Sequence, residues 1–291
     1  MKKHTTNTAQ LVKLLKTELS PYYSEKEGNA IITRLFEGLL SYKQADIVLN
    51  AEQDVSKPVQ EKFENALKSL KLQTPIQYVL GYTEFCNVRI AVDKRTLIPR
   101  PETEELVDWI LKCCDGQALR IMDIGTGSGC IAIALKTQLK NSQILGIDIS
   151  EDCIELSKEN AQSNQVDVNF RVQNVLKMSE SSNLGQPGSL DIIVSNPPYI
   201  QHKDRYQMAE NILSYEPARA LFVEDSNPLL FYKAISDVGK TLLKQGGHLY
   251  FEINEKYADE VVAVMNESCY SGVEIRKDIH EKNRFVRGIR E

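Results

Sequence analysis

The run Asp191-Ile192-Ile193-Val194-Ser195-Asn196-Pro197-Pro198-Tyr199-Ile200, apolar until it stops at two prolines, constrains this chain more than any other stretch. Pro197 and Pro198 lack a backbone N–H and fix φ, so neither extends a helix or a central ladder, and a strand must end here. Each proline also biases the residue before it toward extended backbone. The outcome is a stiff turn at a strand's carboxyl end. It holds an amide side chain (Asn196), a carbonyl outside any ladder (Pro197) and an aromatic ring (Tyr199) close together. That set suits a planar –NH2 group, whose two protons reach the Asn196 oxygen and the Pro197 carbonyl while Tyr199 covers one face. A proline pair after a strand also serves as a plain loop breaker, and the choice between the two readings rests on a stretch further upstream.

There, Asp123-Ile124-Gly125-Thr126-Gly127-Ser128-Gly129-Cys130 ends one expected strand and opens a helix. Glycines at alternate positions let the backbone turn sharply and admit a ligand against the main chain, beside a helix N-terminus. A dinucleotide site wants Gly-x-Gly-x-x-Gly, but Cys130 stands where the third glycine would be. About twenty residues on, Asp148 closes the next strand, where a carboxylate can accept from two ribose hydroxyls. The pattern fits S-adenosylmethionine at least as well as NAD. After a third strand, Gln173-Asn174-Val175-Leu176 stands where an adenine would lie, with Asn174 either meeting the base or simply forming a turn. Glycine loop, carboxylate and Asn-Pro-Pro-Tyr all fall at carboxyl ends of strands, the edge along which open α/β sheets bind ligands.

Taken in order, residues 8–72 carry apolar residues at helical spacing, Leu11, Leu14, Leu15 and Leu19 and then Ile31, Ile32, Leu35, Phe36, Leu39 and Leu40, with further helices over 45–50 and 59–72. A small all-α bundle over 1–73 follows, with polar faces of mixed sign, and its expected task is to position a macromolecular substrate. A β-hairpin linker occupies 74–97, with strands over 82–85 and 88–92 and Asn87 taking the positive φ of the turn. Residues 98–291 are expected to form an α/β domain: a helix runs to about Cys114, and from Ala118 onward strand and helix patterns alternate, which predicts a parallel sheet covered on both faces. Strands are expected over 119–123, 143–148, 169–173, 190–195, 248–253, 273–278 and 285–289, and helices starting near Cys130, Glu151, Pro228 and Lys256. Residues 201–227 show no pattern, and a loop of that length beside a strand end is often a lid or binding loop.

In these motifs the sequence resembles the class I methyltransferases, and more narrowly the release factor glutamine methyltransferases, the PrmC/HemK family. The resemblance rests on Pro75-Ile76-Gln77-Tyr78-Val79-Leu80-Gly81, on Glu84-Phe85, on residues 97–105 with their Pro-Arg-Pro-Glu-Thr-Glu run, on the glycine loop, on Asn-Pro-Pro-Tyr and on Tyr215-Glu216-Pro217 with Ala220-Leu221. Asn-Pro-Pro-Tyr is shared with amino-methyltransferases of adenine and guanine; the Pro-Arg-Pro-Glu-Thr-Glu run marks the family. The resemblance implies a Rossmann-like seven-stranded sheet and transfer of methyl from S-adenosylmethionine to the glutamine amide of the Gly-Gly-Gln motif in class 1 peptide release factors. It implies that Asn196 and the Pro197 carbonyl bind that amide, with Pro198 holding the corner, Tyr199 packing on the amide and Leu97 lining the pocket. Gly125, Thr126, Gly127, Ser128, Gly129, Asp148, Asn174 and Val175, with Asn196, would hold the cofactor. Asn174 departs from the family's usual Asp, Glu252-Ile253-Asn254 from its Glu-Ile-Gly, and His280-Glu281-Lys282-Asn283 stands where a glycine is usual.

Other classes fit less well. A net charge of -5 gives no overall basic field to hold phosphates, so direct nucleic-acid binding is not expected. The six cysteines show no Cys-x-x-Cys spacing and read as reduced core thiols of a cytoplasmic protein. No signal-peptide core or membrane-length apolar run occurs, nothing has metal-ligand spacing, and His4, His202, His248 and His280 are scattered. The expected enzyme is a monomer without metal or catalytic histidine. Its alternatives are a nucleic-acid amino-methyltransferase working on a flipped base, a non-catalytic S-adenosylmethionine-binding adaptor and, less fitting still, a nicotinamide dehydrogenase.

Overall fold

The computed structural model describes residues 6–114, 117–178 and 185–291; the basic start of the chain, with His4, lies outside the described residues. The chain divides into two compact units, Met1–Tyr82 and Thr83–Glu291.

The first unit holds helices α1 (Thr8–Leu19), α2 (Glu25–Leu40), α3 (Gln44–Leu49), α4 (Lys57–Lys71) and α5 (Ile76–Leu80). Asn7 caps α1 through a reciprocal box with Gln10, and Ser24 caps α2, so both helices start where a side-chain oxygen replaces a missing acceptor. Leu11, Leu15, Leu19, Leu35, Phe36, Phe63 and Leu70 are buried in one core, each contributing about 1.5–3 kcal/mol of burial. Helix α5 was not foreseen. Pro75 precedes it and Gly81, at φ 77°, ends it, so a five-residue helix sits between two residues that read as punctuation.

A two-stranded sheet of β1 (Tyr82–Phe85) and β2 (Val88–Ala91) follows. Cys86 joins Asn87 in the left-handed region, with φ of 48° and 63°, which is the backbone a tight two-residue hairpin turn needs. After it come α6 (Pro101–Lys112), β3 (Arg120–Ile124), α7 (Cys130–Gln138), β4 (Gln143–Asp148), α8 (Glu151–Ser163), β5 (Asn169–Val172) and β6 (Leu190–Ser195). Then β7 (Ile200–Gln201), α9 (Glu210–Tyr215), α10 (Ala218–Leu221), β8 (Phe222–Val223), α11 (Leu230–Leu242), β9 (Leu243–Glu252), α12 (Ala258–Glu267), β10 (Tyr270–Lys277) and β11 (Asn283–Arg290) complete the chain.

Seven strands form one sheet in the order β10-β11-β9-β6-β3-β4-β5. Ile192, Ile193 and Val194 of β6 and Ile121, Met122 and Ile124 of β3 are all buried, as central strands with both faces covered must be. The sheet is mixed, which corrects the all-parallel expectation: β11 runs antiparallel to β9 and β10. Only residues 278–282 join β10 to β11, too short for the crossover that parallel pairing requires. The core-thiol reading is also corrected. All six cysteines are free, but only Cys130 and Cys153 are buried, while Cys113 and Cys269 are exposed. Among the described residues no helix is long and apolar enough to cross a membrane.

From β3 the chain moves outward through β4 and β5, then returns to place β6 on the other side of β3. A crevice opens where the strand order reverses, outside the carboxyl ends of β3 and β6. The glycine loop leaves β3 there, Asp148 ends β4, and Asn196 follows β6.

Candidate active site

A cleft of about 250 Å³ occupies that crevice. Gly125, Gly127, Asp148, Asn174, Val175, Asn196, Pro197 and Pro198 line it, together with Leu97, Ile149, Phe231 and the exposed Arg219. Gly125 and Gly127 hold φ of 74° and 55°, and a Cβ added at either would meet nothing within 4 Å. Glycine is required at these two positions for backbone conformation, and the space in front of them is open.

The rest of the loop turns inward. Thr126 and Ser128 are buried, and a Cβ at Gly129 would meet Ser157, Phe170 and Ile133; none of the three loop residues lines the cleft. The Thr126 hydroxyl donates to Asp123 at 2.6 Å, and burial pushes the Asp123 carboxyl up to about 7. Asn160, buried on α8, donates to the carbonyls of Ser128 (2.9 Å) and Ala91 (3.0 Å) and accepts from the Ala91 N–H at 2.7 Å. One side chain thus ties the glycine loop to the hairpin.

Asp148 accepts from the Gly127 N–H at 3.0 Å and the Ser150 N–H at 2.9 Å, one bond to each oxygen. Burial raises its carboxyl above the usual range, opposed by these two bonds. Each oxygen keeps lone-pair capacity for a further donor. Asn174 does both things open to it: its side chain accepts from the Leu176 N–H at 2.9 Å, forming a turn, and it stands in the cleft wall.

At the proline corner, Ser195 donates to the Ile124 carbonyl at 2.6 Å, locking the end of β6 to the end of β3. Asn196 donates through Nδ2 to Thr103 Oγ1 at 3.2 Å, and Thr103 donates to Glu252 at 2.7 Å. Tyr199 is not among the cleft residues; its hydroxyl reaches Glu252 at 3.1 Å and its ring packs on the main core. Burial raises the Glu252 carboxyl, while the bonds from Thr103 and Tyr199 and the charge of Arg284 pull it back. Glu216, buried in the 201–227 segment, binds Arg100 at 2.6 Å and the Ile98 N–H at 3.1 Å, so it clamps the backbone beside Leu97. No described histidine lines the cleft, and no described group of His, Cys, Asp and Glu could hold a metal ion.

Residues 10–81 match the PrmC N-terminal domain and residues 115–286 match a methyltransferase domain. The chain is 39% identical over 285 residues to the release factor glutamine methyltransferase of Flavobacterium psychrophilum, covering 95% of this chain and 98% of that one. The chain belongs to the release factor glutamine methyltransferase family. The member from Bacteroides thetaiotaomicron is likewise 39% identical, over 94% of this chain and 96% of its own, and that from Lactococcus lactis 41%, over 75% and 78%. The fold of the 16S rRNA N2 G1207 methyltransferase of Thermus thermophilus is similar, with a TM-score of 0.51 at 13% identity over 72% of this chain and 50% of that one.

In this family member, sequence reasoning missed Asn160, Thr103, Glu216 and Glu252 as parts of the site's frame. Thr103 and Glu216 lie inside the motifs that carry the resemblance, which is the signal that could have singled them out. Asn160 has no such signal, since it sits mid-helix among polar residues.

Proposed function

We propose that the protein transfers the methyl group of S-adenosylmethionine to the side-chain amide nitrogen of the glutamine in the Gly-Gly-Gln motif of class 1 peptide release factors. The observation that carries this reading is the cleft itself. One end is a glycine bend with an adjoining carboxylate; the other is an Asn-Pro-Pro corner with acceptors for an amide.

The residues fit the cofactor. Gly125 and Gly127 leave room against the backbone, Asp148 retains acceptor capacity for two hydroxyls, and Ile149, Val175 and Leu176 offer apolar surface for a flat base beside Asn174. When bound, S-adenosylmethionine supplies an electrophilic methyl on a sulfonium. The protein's share is placement. An amide nitrogen is a poor nucleophile because its lone pair is delocalised, so alignment is the main task. The Asn196 side-chain oxygen and the Pro197 carbonyl accept the two amide protons, turn the nitrogen lone pair toward the cleft and localise charge as the bond forms. A methylated amide nitrogen is acidic enough to lose its proton to water, so no side-chain base is needed. Tyr199 serves here from behind, stiffening the corner through Glu252.

The helical unit positions the release factor, and the enzyme works as a monomer in the cytoplasm without direct nucleic-acid binding. Deleting residues 1–72 raises the Michaelis constant for release factor; an unchanged value would remove that role. The deciding experiment offers labelled S-adenosylmethionine with a class 1 release factor and total RNA and DNA. Label on the factor, lost when its glutamine is replaced, supports the reading, whereas label on nucleic acid moves the enzyme to the base amino-methyltransferases and no label at all makes it an adaptor.

A further inference from the structure

The two ends of the Asn-Pro-Pro-Tyr corner converge on one buried carboxylate. Glu252, 2% exposed, accepts from Tyr199 on one oxygen at 3.1 Å and from Thr103 on the other at 2.7 Å. Thr103 is itself 2% exposed and stands on α6, between that carboxylate and Asn196.

Hydrogen-bond polarity now runs in one direction. In its carboxylate form, which the bonds from Thr103 and Tyr199 and the charge of Arg284 favour against burial, Glu252 only accepts, so the single Thr103 hydroxyl proton is committed to it. What Thr103 has left is a lone pair, and a lone pair calls for a donor. Of the two ends of the Asn196 amide only Nδ2 donates, and it lies 3.2 Å away. With Nδ2 held there, Oδ1 is the end turned to the cleft. Which end of an asparagine faces where is assigned through its hydrogen-bond partners, and here the chain of partners leaves one solution. The reverse orientation would set Oδ1 against an oxygen whose proton is already used. It would also present an N–H2 to the cleft, where it repels an amide –NH2 instead of accepting from it.

We propose that Thr103, polarised by Glu252, is a positioning residue that fixes the Asn196 side chain with its oxygen toward the substrate amide. Thr103 touches no substrate, and the assignment rests on the methyl-transfer reading only for the identity of that amide.

Thr103→Val keeps the shape and removes both the proton and the lone pair, while Thr103→Ser keeps both. With release factor as substrate, Thr103→Val lowers kcat at least tenfold, about 1.4 kcal/mol of transition-state stabilisation, and leaves the KM for S-adenosylmethionine within about twofold; Thr103→Ser restores most of kcat. Glu252→Gln, which can turn a donor toward Thr103, loses kcat in the same way. A readout without substrate accompanies these. In protein carrying [15N]asparagine, the side-chain amide signals missing from Asn196→Ala shift in Thr103→Val and return to their wild-type position in Thr103→Ser. A Thr103→Val enzyme with near-normal kcat, an unmoved Asn196 signal, or equal damage by Val and Ser overturns the proposal. Should wild type leave the release factor unlabelled while the Asn196 signal still moves and returns as described, the positioning role stands and the substrate reading falls.

Discussion

The pair Arg100–Glu216 is a buried charge meeting a half-buried one, and the two partners are unequal in a way that stability measurements resolve. The Glu216 side chain is 1% exposed and that of Arg100 is 30% exposed, with 2.6 Å between them. Removing Arg100 as Arg100→Met keeps the aliphatic stem but takes the charged partner from a buried carboxylate that still accepts from the Ile98 N–H. Breaking a fully buried pair this way costs about 3–5 kcal/mol, and discounting for the exposure of Arg100 leaves about 2–4. Glu216→Gln keeps an oxygen for Ile98 and leaves a guanidinium that reaches water, so its cost is about 1 kcal/mol. At roughly 2–4 °C per kcal/mol for a unit of this size, Arg100→Met lowers Tm by about 10 °C and Glu216→Gln by about 3 °C. The double variant recovers much of the loss, because no buried charge is left alone. The pair also joins residues beside Leu97 to the segment carrying Arg219 and Ala220, all of which line the cleft, so calorimetry shows weaker S-adenosylmethionine binding by Arg100→Met. Differential scanning calorimetry of the three variants is the assay. Glu216→Gln proving as harmful as Arg100→Met would refute the burial argument.

Three further expectations concern the cleft. Asn196→Ala lowers kcat at least tenfold with little change in cofactor affinity, and near-normal turnover would contradict its role as acceptor. Asp148→Ala weakens S-adenosylmethionine binding by about tenfold or more, since acceptors for two hydroxyls and the tie to the Gly127 N–H go together; an unaltered calorimetric affinity would refute this. Asp123 sets a pH dependence. Its folded value of about 7 lies above the ordinary 3.8, so the folded state holds this proton more tightly than the unfolded chain. Its contribution is therefore present in full below about pH 3.8 and is lost as pH rises toward 7, a change on the order of 4 kcal/mol. Asp123→Asn gains stability relative to wild type over that interval, and a Tm difference that stays flat with pH would count against the assignment.

Much of the α/β unit is legible in the sequence because its central strands are buried on both faces and bounded by glycine, proline or charge. Strands β4 and β6 begin and end where the pattern places them. β9 starts earlier than the pattern suggests, at Leu243, because Gly246 at φ 77° and Gly247 read as a turn but instead accompany a register shift against β6. Residues 201–227 are opaque for a different reason. Each of their elements has six residues or fewer, too short for a period, and they are held by Gln201 to the Asp225 carbonyl, by Asp225 to the Lys203 N–H, and by Glu216 to Arg100. Positions at strand ends, such as Gly125, Asp148 and Asn196, follow from local pattern alone. The frame behind them does not: Thr103 is 93 residues from Asn196 and 149 from Glu252, and no spacing rule links them.

Asp123, Glu216 and Glu252 have a common logic. All three are at most 5% exposed and border the carboxyl edge of the sheet; Glu216 and Glu252 accept on both oxygens, whereas Asp123 accepts from Thr126 on Oδ2 and its Oδ1 has no partner among the described residues. That edge is where strands stop and backbone ladders can no longer hold the chain. Hydrophobic packing fills space there but does not choose between nearby loop conformations, whereas a buried acceptor left unsatisfied costs about 1–3 kcal/mol and so penalises every wrong one. Burying a carboxylate is itself unfavourable, which is why Asp123 and Glu252 are pushed toward their protonated forms. Stability is given up at this edge in return for a glycine bend, a clamped 97–100 segment and an Asn-Pro-Pro-Tyr corner that each keep one shape, and for a reaction that depends on alignment that is the property that matters.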